Sequence, residues 1–135
     1  IGDPELYINR ELSLLEFNRR VLEQSKDQGN PLLERLKFLC IASSNLDEFF
    51  EIRVAGLKEQ VAFAAGQTGP DQMSAQDQLR AISAGAHALV AEQYRVLNDE
   101  LLPALAEQNI HFLKRSEWNA RQAAWVRRYF NRELL

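Results

Sequence analysis

Few side chains in this sequence could do chemistry, and most of those stand alone. His87 and His111 are its only histidines. Neither has a Ser, Cys or carboxylate partner in a recognisable catalytic arrangement, and a metal site needs more ligands than two isolated imidazoles. His87 falls beside the apolar stripe of its segment and His111 alternates outward between Ile110 and Phe112, so both read as surface residues. Cys40 lies in the apolar run Phe38-Leu39-Cys40-Ile41 with no second cysteine to pair with, and reads as a buried structural thiol in a reducing compartment. Asp47, Glu48 and Glu51 form the densest acidic cluster. Hard divalent cations take several carboxylate oxygens. Acids in a first helical turn, however, are favoured by the macrodipole alone, by about 0.3–1 kcal/mol each, and that is the better reading. Neither a G-x-x-x-x-G-K-[ST] loop nor a G-x-G-x-x-G fingerprint is present. No catalytic residue and no metal ligand is therefore assigned.

Two patterns remain. Arg121, Arg128 and Arg132 share one helical face with Trp125, a combination that can bind phosphates or stack bases, but that equally describes a solvated or docking face. Asn45 is the more specific case. It sits in Ile41-Ala42-Ser43-Ser44-Asn45-Leu46-Asp47-Glu48-Phe49-Phe50, where three poor helix formers interrupt an apolar helical segment. The expectation is a helix broken or kinked at 43–45, with Asn45 as the N-cap of a new helix. Its amide also presents a donor and an acceptor side by side, matching an adenine edge. On residue chemistry alone, capping is the stronger of the two roles.

The elements that would carry these residues read as helices. Tyr7-Ile8-Asn9 looks like an extended lead-in, with Ser13 and Glu16 as a capping box for a helix to about Ser25, built on Leu14, Phe17, Val21 and on Leu15, Asn18, Leu22. A polar turn over 26–30 and Pro31 open a second helix, which is apolar on two sides and so central. Gly66 to Asp71 reads as a surface loop, within a 64–73 segment free to move. Ser74, with Asp77, opens a third helix to about Glu107, where Pro103 is placed to kink or end it. Residues 110–113 alternate like one short strand, and Ser116 is the expected cap of a fourth helix. The expected class is all-α: an antiparallel bundle of three long helices, the second kinked or broken near residues 43–45, plus a C-terminal helix.

Composition agrees with a single helical domain. At 135 residues, with 46% hydrophobic and 26% charged, the chain can bury a real core, and six Gly and four Pro leave few turns for an all-β fold. No apolar run is long enough to span a bilayer, no signal-peptide pattern opens the chain, and its ends suggest a piece of something longer. The net charge of -3 hides an asymmetry: residues 114–135 carry six Lys/Arg against two Asp/Glu, while the body before them is acidic. Such a basic end points to a local interface or ligand edge and not to global nucleic-acid binding, which needs a broader basic surface.

Several motifs together resemble a known family. Tyr7-Ile8-Asn9-Arg10-Glu11-Leu12-Ser13, Phe17-Asn18, Arg20-Val21-Leu22, Asn30-Pro31-Leu32-Leu33-Glu34-Arg35-Leu36-Lys37-Phe38 and Ser44-Asn45-Leu46-Asp47-Glu48-Phe49, through Arg53-Val54-Ala55, are similar to the N-terminal domain of the phosphohistidine-type polyphosphate kinases. Leu14 stands where that family often has tryptophan. The resemblance implies an enzyme that reversibly moves the terminal phosphate of ATP onto polyphosphate with magnesium. It implies that residues 1–113 are a helical domain forming part of the ATP pocket, with Asn45 as the ATP contact. Residues from 114 would begin the following domain, whose relatives take part in dimer formation. The phosphorylated histidine and the magnesium ligands would belong to domains outside this chain. The implied location is cytoplasmic, which includes peripheral association with a membrane. A helical interdomain or dimerisation module with no direct ligand role is the rival expectation.

Overall fold

The periodicity of the sequence puts helices almost everywhere, and the computed structural model has them. It describes the backbone of residues 4–64 and 70–135 and the side chains of residues 10–63 and 76–135. Helix α1 spans Pro4–Lys26 and α2 spans Leu32–Phe49. A π turn over Phe50–Val54 carries α2 directly into α3, Ala55–Ala64. Helix α4 spans Pro70–Arg95, and a second π turn over Val96–Leu101 carries it into α5, Leu102–Glu107. A 3-10 turn at Arg115–Glu117 precedes α6, Ala120–Glu133. The fold is all-helical, and no strand occurs among the described residues. Among the described residues there are four helical runs, but they are not simply three unbroken long helices and a fourth, because a π turn divides each of the second and third runs into two α-helices.

Several local expectations fail, and in the packed helices the reason is that tertiary burial overrides capping preference. The helix does not break at Ser43-Ser44-Asn45, which lie inside α2. The irregularity comes five residues later, as the first π turn, where the Ala55 N–H bonds to the Phe50 carbonyl five residues back. Asn45 is therefore not an N-cap, and Asp47, Glu48 and Glu51 are not first-turn charges. Ser13 lies inside α1, which already includes Tyr7 to Asn9, and Ser74 lies inside α4, which begins at Pro70. The rest of the expected 66–71 loop, residues 66–69, lies outside the described residues. Residues 110–113 are irregular, with no partner strand. The cap of α6 is Asn119, whose Oδ1 accepts from the Gln122 N–H while Gln122 returns a bond to the Asn119 N–H, both at 2.9 Å; Ser116 sits in the preceding 3-10 turn. Pro103 does not end its helical run. It has no N–H and its ring would press on the carbonyl four residues back. The π turn just before it widens the backbone there, with the Leu102 N–H reaching the Leu97 carbonyl. Cys40 is exposed, on the wet side of α2, and is not a core thiol.

The core runs along the line where α1, α2 and α4 meet. Leu22, Ala42, Val96 and Leu101 are completely buried, and Leu15, Leu39, Leu46, Ile82 and Leu89 nearly so. The same cluster includes Phe49 and Val54, at the edges of the first π turn. Where α1 passes α4 the Leu15 side chain packs against Gly85: a Cβ there would stand 3.2 Å from Leu15 Cδ1. Between α1 and α2 the small Ala42 lets a polar group reach backbone. Asn18, only 4% exposed, donates from Nδ2 to the Ala42 carbonyl at 2.9 Å. That bond fixes the orientation of the Asn18 amide and leaves Oδ1 buried without a partner.

A charged network closes the bundle at the far end of α1. Arg35 is 8% exposed, and its Nε donates to the Ser25 carbonyl at 2.8 Å, satisfying one of the carbonyls that a helix C-terminus leaves open. Lys26 Nζ reaches Glu92 at 2.6 Å, Arg95 bonds both Glu92 and Glu100, and Glu100 in turn lies 3.8 Å from Arg35. Hydrogen bonds from Arg95, and then from Lys26, hold the Glu92 carboxyl down at about 2 against its ordinary 4.5.

Two outcomes are expected. A carboxyl with a depressed folded pKa stabilises fully above its unfolded pKa and loses that contribution as pH falls through the folded one. Thermal midpoints should therefore drop between about pH 4.5 and 2, and the Glu92→Gln protein should show a shallower drop in that window. Asn18→Ala should cost about 1–2 kcal/mol in denaturant unfolding, from the lost bond to Ala42. Asn18→Asp should cost more, because it buries a carboxylate against that carbonyl.

Candidate functional site

A cleft of about 350 Å³ opens where α1 crosses the end of α2 and the first π turn. One wall comes from α1: Leu14, Leu15, Phe17 and Asn18. The other comes from Asn45, Leu46, Glu48 and Phe49 of α2, with Ile52 and Arg53 of the π turn. The two walls follow from helix geometry, because residues three, four and seven apart share a face; Arg53, eight residues on from Asn45, reaches the cleft from within the π turn. Phe17 and Ile52 are well exposed at the mouth, Phe49 and Leu46 are buried at the base, and Asn45 is half-buried between them. The result is an apolar slot with a few polar groups, the usual makeup of a small-molecule site.

The polar groups differ in how far they are committed. Asn45 makes no hydrogen bond to any described residue, so its amide donor and acceptor are both available. Asn18 is tied to Ala42 and holds the slot's inner edge. Arg53 Nη1 approaches Glu11 Oε1 at 3.4 Å, and the second oxygen of Glu11 is buried with no partner. Glu48 is exposed and forms no ion pair among the described residues.

The structure thus keeps Asn45, the one binding residue expected from sequence, at a cleft, but by a different local route: displayed from mid-helix, not from a helix end. Asn18, Arg53 and Phe17 are functional candidates that sequence reasoning did not single out, while Glu48, weighed there with Asp47 and Glu51 as a cation ligand, lines the cleft without them. Asn18 did leave a signal, since it is the polar member of the otherwise apolar stripe Leu15, Asn18, Leu22. Arg53 left only its place in the Arg53-Val54-Ala55 stretch of the resemblance, with nothing to put it at a cleft.

Other candidates do not converge. His87 is exposed and donates from Nδ1 to the Ser83 carbonyl at 2.7 Å on its own helix, and His111 is exposed in the irregular stretch after α5. No group of three or more His, Cys, Asp or Glu is gathered to hold a metal among the described residues. A larger cleft of about 710 Å³ between α1 and α4 is lined by Glu16, Arg19, Glu23, Lys26 and Glu92, but these charges are spent on one another. Arg121, Arg128 and Arg132 are exposed on α6, where Trp125 stacks on Tyr129 at 5.3 Å between ring centres. Helix α6 buries none of its residues.

Comparison with known proteins gives a consistent result. A protein named polyphosphate kinase from Pseudomonas syringae pv. tomato is 56% identical over 134 residues, covering 99% of this chain and 18% of the relative. The polyphosphate kinase of Pseudomonas aeruginosa is 55% identical, covering 99% of this chain and 19% of the relative. That of Burkholderia cenocepacia is 51% identical over 128 residues, covering 95% and 19%. The chain spans less than a fifth of the length of these relatives. No solved structure matches it. The family described as the polyphosphate kinase N-terminal domain matches residues 7–113, and the chain belongs to that family.

Proposed function

We propose that this chain is the part of a polyphosphate kinase that holds the base end of ATP, while the enzyme reversibly transfers the terminal phosphate to polyphosphate. The observation that carries this reading is Asn45: an amide free of hydrogen bonds among the described residues, half-buried in an apolar slot. An Asn amide can accept from the adenine amine and donate to a ring nitrogen at once. Phe17 and Ile52 offer apolar faces on either side for the purine ring.

Phosphoryl transfer depends on positioning and on cationic stabilisation of the phosphates. The chain would supply the positioning. Magnesium, the phosphorylated histidine and the polyphosphate path are assigned to domains outside it, since neither histidine here lies at the cleft. Residues 114–135 are taken as the start of the following domain. A second reading is favoured by α6, whose exposed Trp125, Tyr129 and Phe130 suit an interface with other domains or another subunit. If that were the chain's whole role, it would associate with rising concentration and show no response to nucleotide.

In the full-length enzyme, Asn45→Ala should raise the KM for ATP about tenfold or more, as expected for loss of paired polar contacts. Phosphohistidine formation should persist at saturating ATP. An unchanged ATP dependence would remove Asn45 from the site. The isolated 135-residue chain should make no polyphosphate from ATP; measurable synthesis would overturn this division of labour.

A further inference from the structure

We infer that Arg53 is a second nucleotide contact, the cation that receives the phosphate end of ATP, and that the first π turn is what aims it there. The inference deepens the reading of Asn45 and rests on it. In an unbroken α-helix, residue 53 would lie about 80° around the axis from residue 45. The wider π turn at Phe50–Val54 turns the chain less per residue and brings Arg53 to within about 20° of Asn45. The two side chains accordingly line one cleft. Along the axis, eight residues separate them by about 11–12 Å. That is the reach of a nucleoside triphosphate from its base edge to its phosphates. Glu48 stands between them, at the height of the ribose, whose hydroxyls donate to a carboxylate.

Arg53 is also poorly committed within the fold. Its side chain is 36% exposed and its contact to Glu11 is 3.4 Å, whereas Arg95 makes carboxylate bonds of 2.8 and 2.9 Å. Charge-assisted pairs are commonly about 2.7–2.9 Å. The leftover Glu11 oxygen shows that the pair is incomplete on both sides. A planar guanidinium with donors to spare fits phosphate oxygens in a fork geometry.

The test uses the full-length enzyme with two probes, ATP as substrate and adenosine as a competitive inhibitor without phosphates. Arg53→Gln should raise the KM for ATP by about ten- to hundredfold, as for loss of a charged hydrogen bond. Adenosine inhibition should stay unchanged, and Arg53→Lys should fall between Gln and the native residue. Glu11→Gln, which frees Arg53, should leave the KM for ATP unchanged or lower. Asn45→Ala should weaken both probes. If Arg53→Gln and Glu11→Gln raise the KM for ATP alike, Arg53 is only a tie between helices and the inference fails. If Asn45→Ala weakens both probes and Arg53→Gln neither, the inference again fails while the Asn45 reading stands. If Asn45→Ala weakens neither probe, the Asn45 reading itself fails.

Discussion

The bond from Asn18 to the Ala42 carbonyl sets the relation of α1 to α2, and with it nearly everything of interest in this chain. Helix faces covered with Leu, Ile and Val can slide past one another at little cost, because dispersion and hydrophobic contacts are not directional. A buried amide that must reach one particular carbonyl cannot slide. Ala42 makes the approach possible by having almost no side chain, and Leu15, Leu22, Leu39 and Leu46 pack around the contact. The cleft residues come from the segments of α1 and α2 on either side of this bond, and from the π turn that continues α2.

The two π turns use one device for two purposes. The second precedes Pro103 and absorbs a residue that an α-helix interior does not accept. It also carries Glu100, which joins Arg95 and Arg35 in the network at the end of α1. The first has no proline to explain it. It shifts the register of everything after Phe49; Val54 lies in the core, and Arg53 lines the same cleft as Asn45. An inserted residue in a helix costs hydrogen-bond geometry, and such turns occur frequently at functional sites.

Helix α6 is of another kind. It has a well-made start, with Asn119 and Gln122 bonded reciprocally, yet it buries nothing. Its stacked Trp125 and Tyr129 lie beside exposed arginines. A helix this amphipathic gains its stability from whatever covers its apolar face. Its chemistry differs from that of the acidic bundle before it, in keeping with the charge distribution along the chain.

The sequence by itself determined the helical class, the turn at 26–30, the mainly apolar stripes of α1 and α4, and Asn45 as a residue to watch. These come from period and composition, which are local properties. It misled at Ser13, Ser43, Ser44, Asn45, Ser74 and Ser116, where cap-forming side chains signalled helix ends. Propensity at such positions is worth fractions of a kcal/mol to about 2, and in α1, α2 and α4 burial of the helical run outweighs it; Ser116 instead loses the cap to Asn119, which bonds reciprocally with Gln122. Cys40 was misplaced for a related reason: an apolar neighbourhood in sequence does not say which side of the helix a residue faces. Only the tertiary structure decided that Asn45 is presented from mid-helix, that Asn18 is pinned to Ala42 in the same cleft, and that Arg53 lines it too. The π turn between them leaves no mark in the residue pattern, because Phe50-Glu51-Ile52-Arg53-Val54 contains no proline or glycine and its widening shows only in the backbone bond from Ala55 to Phe50.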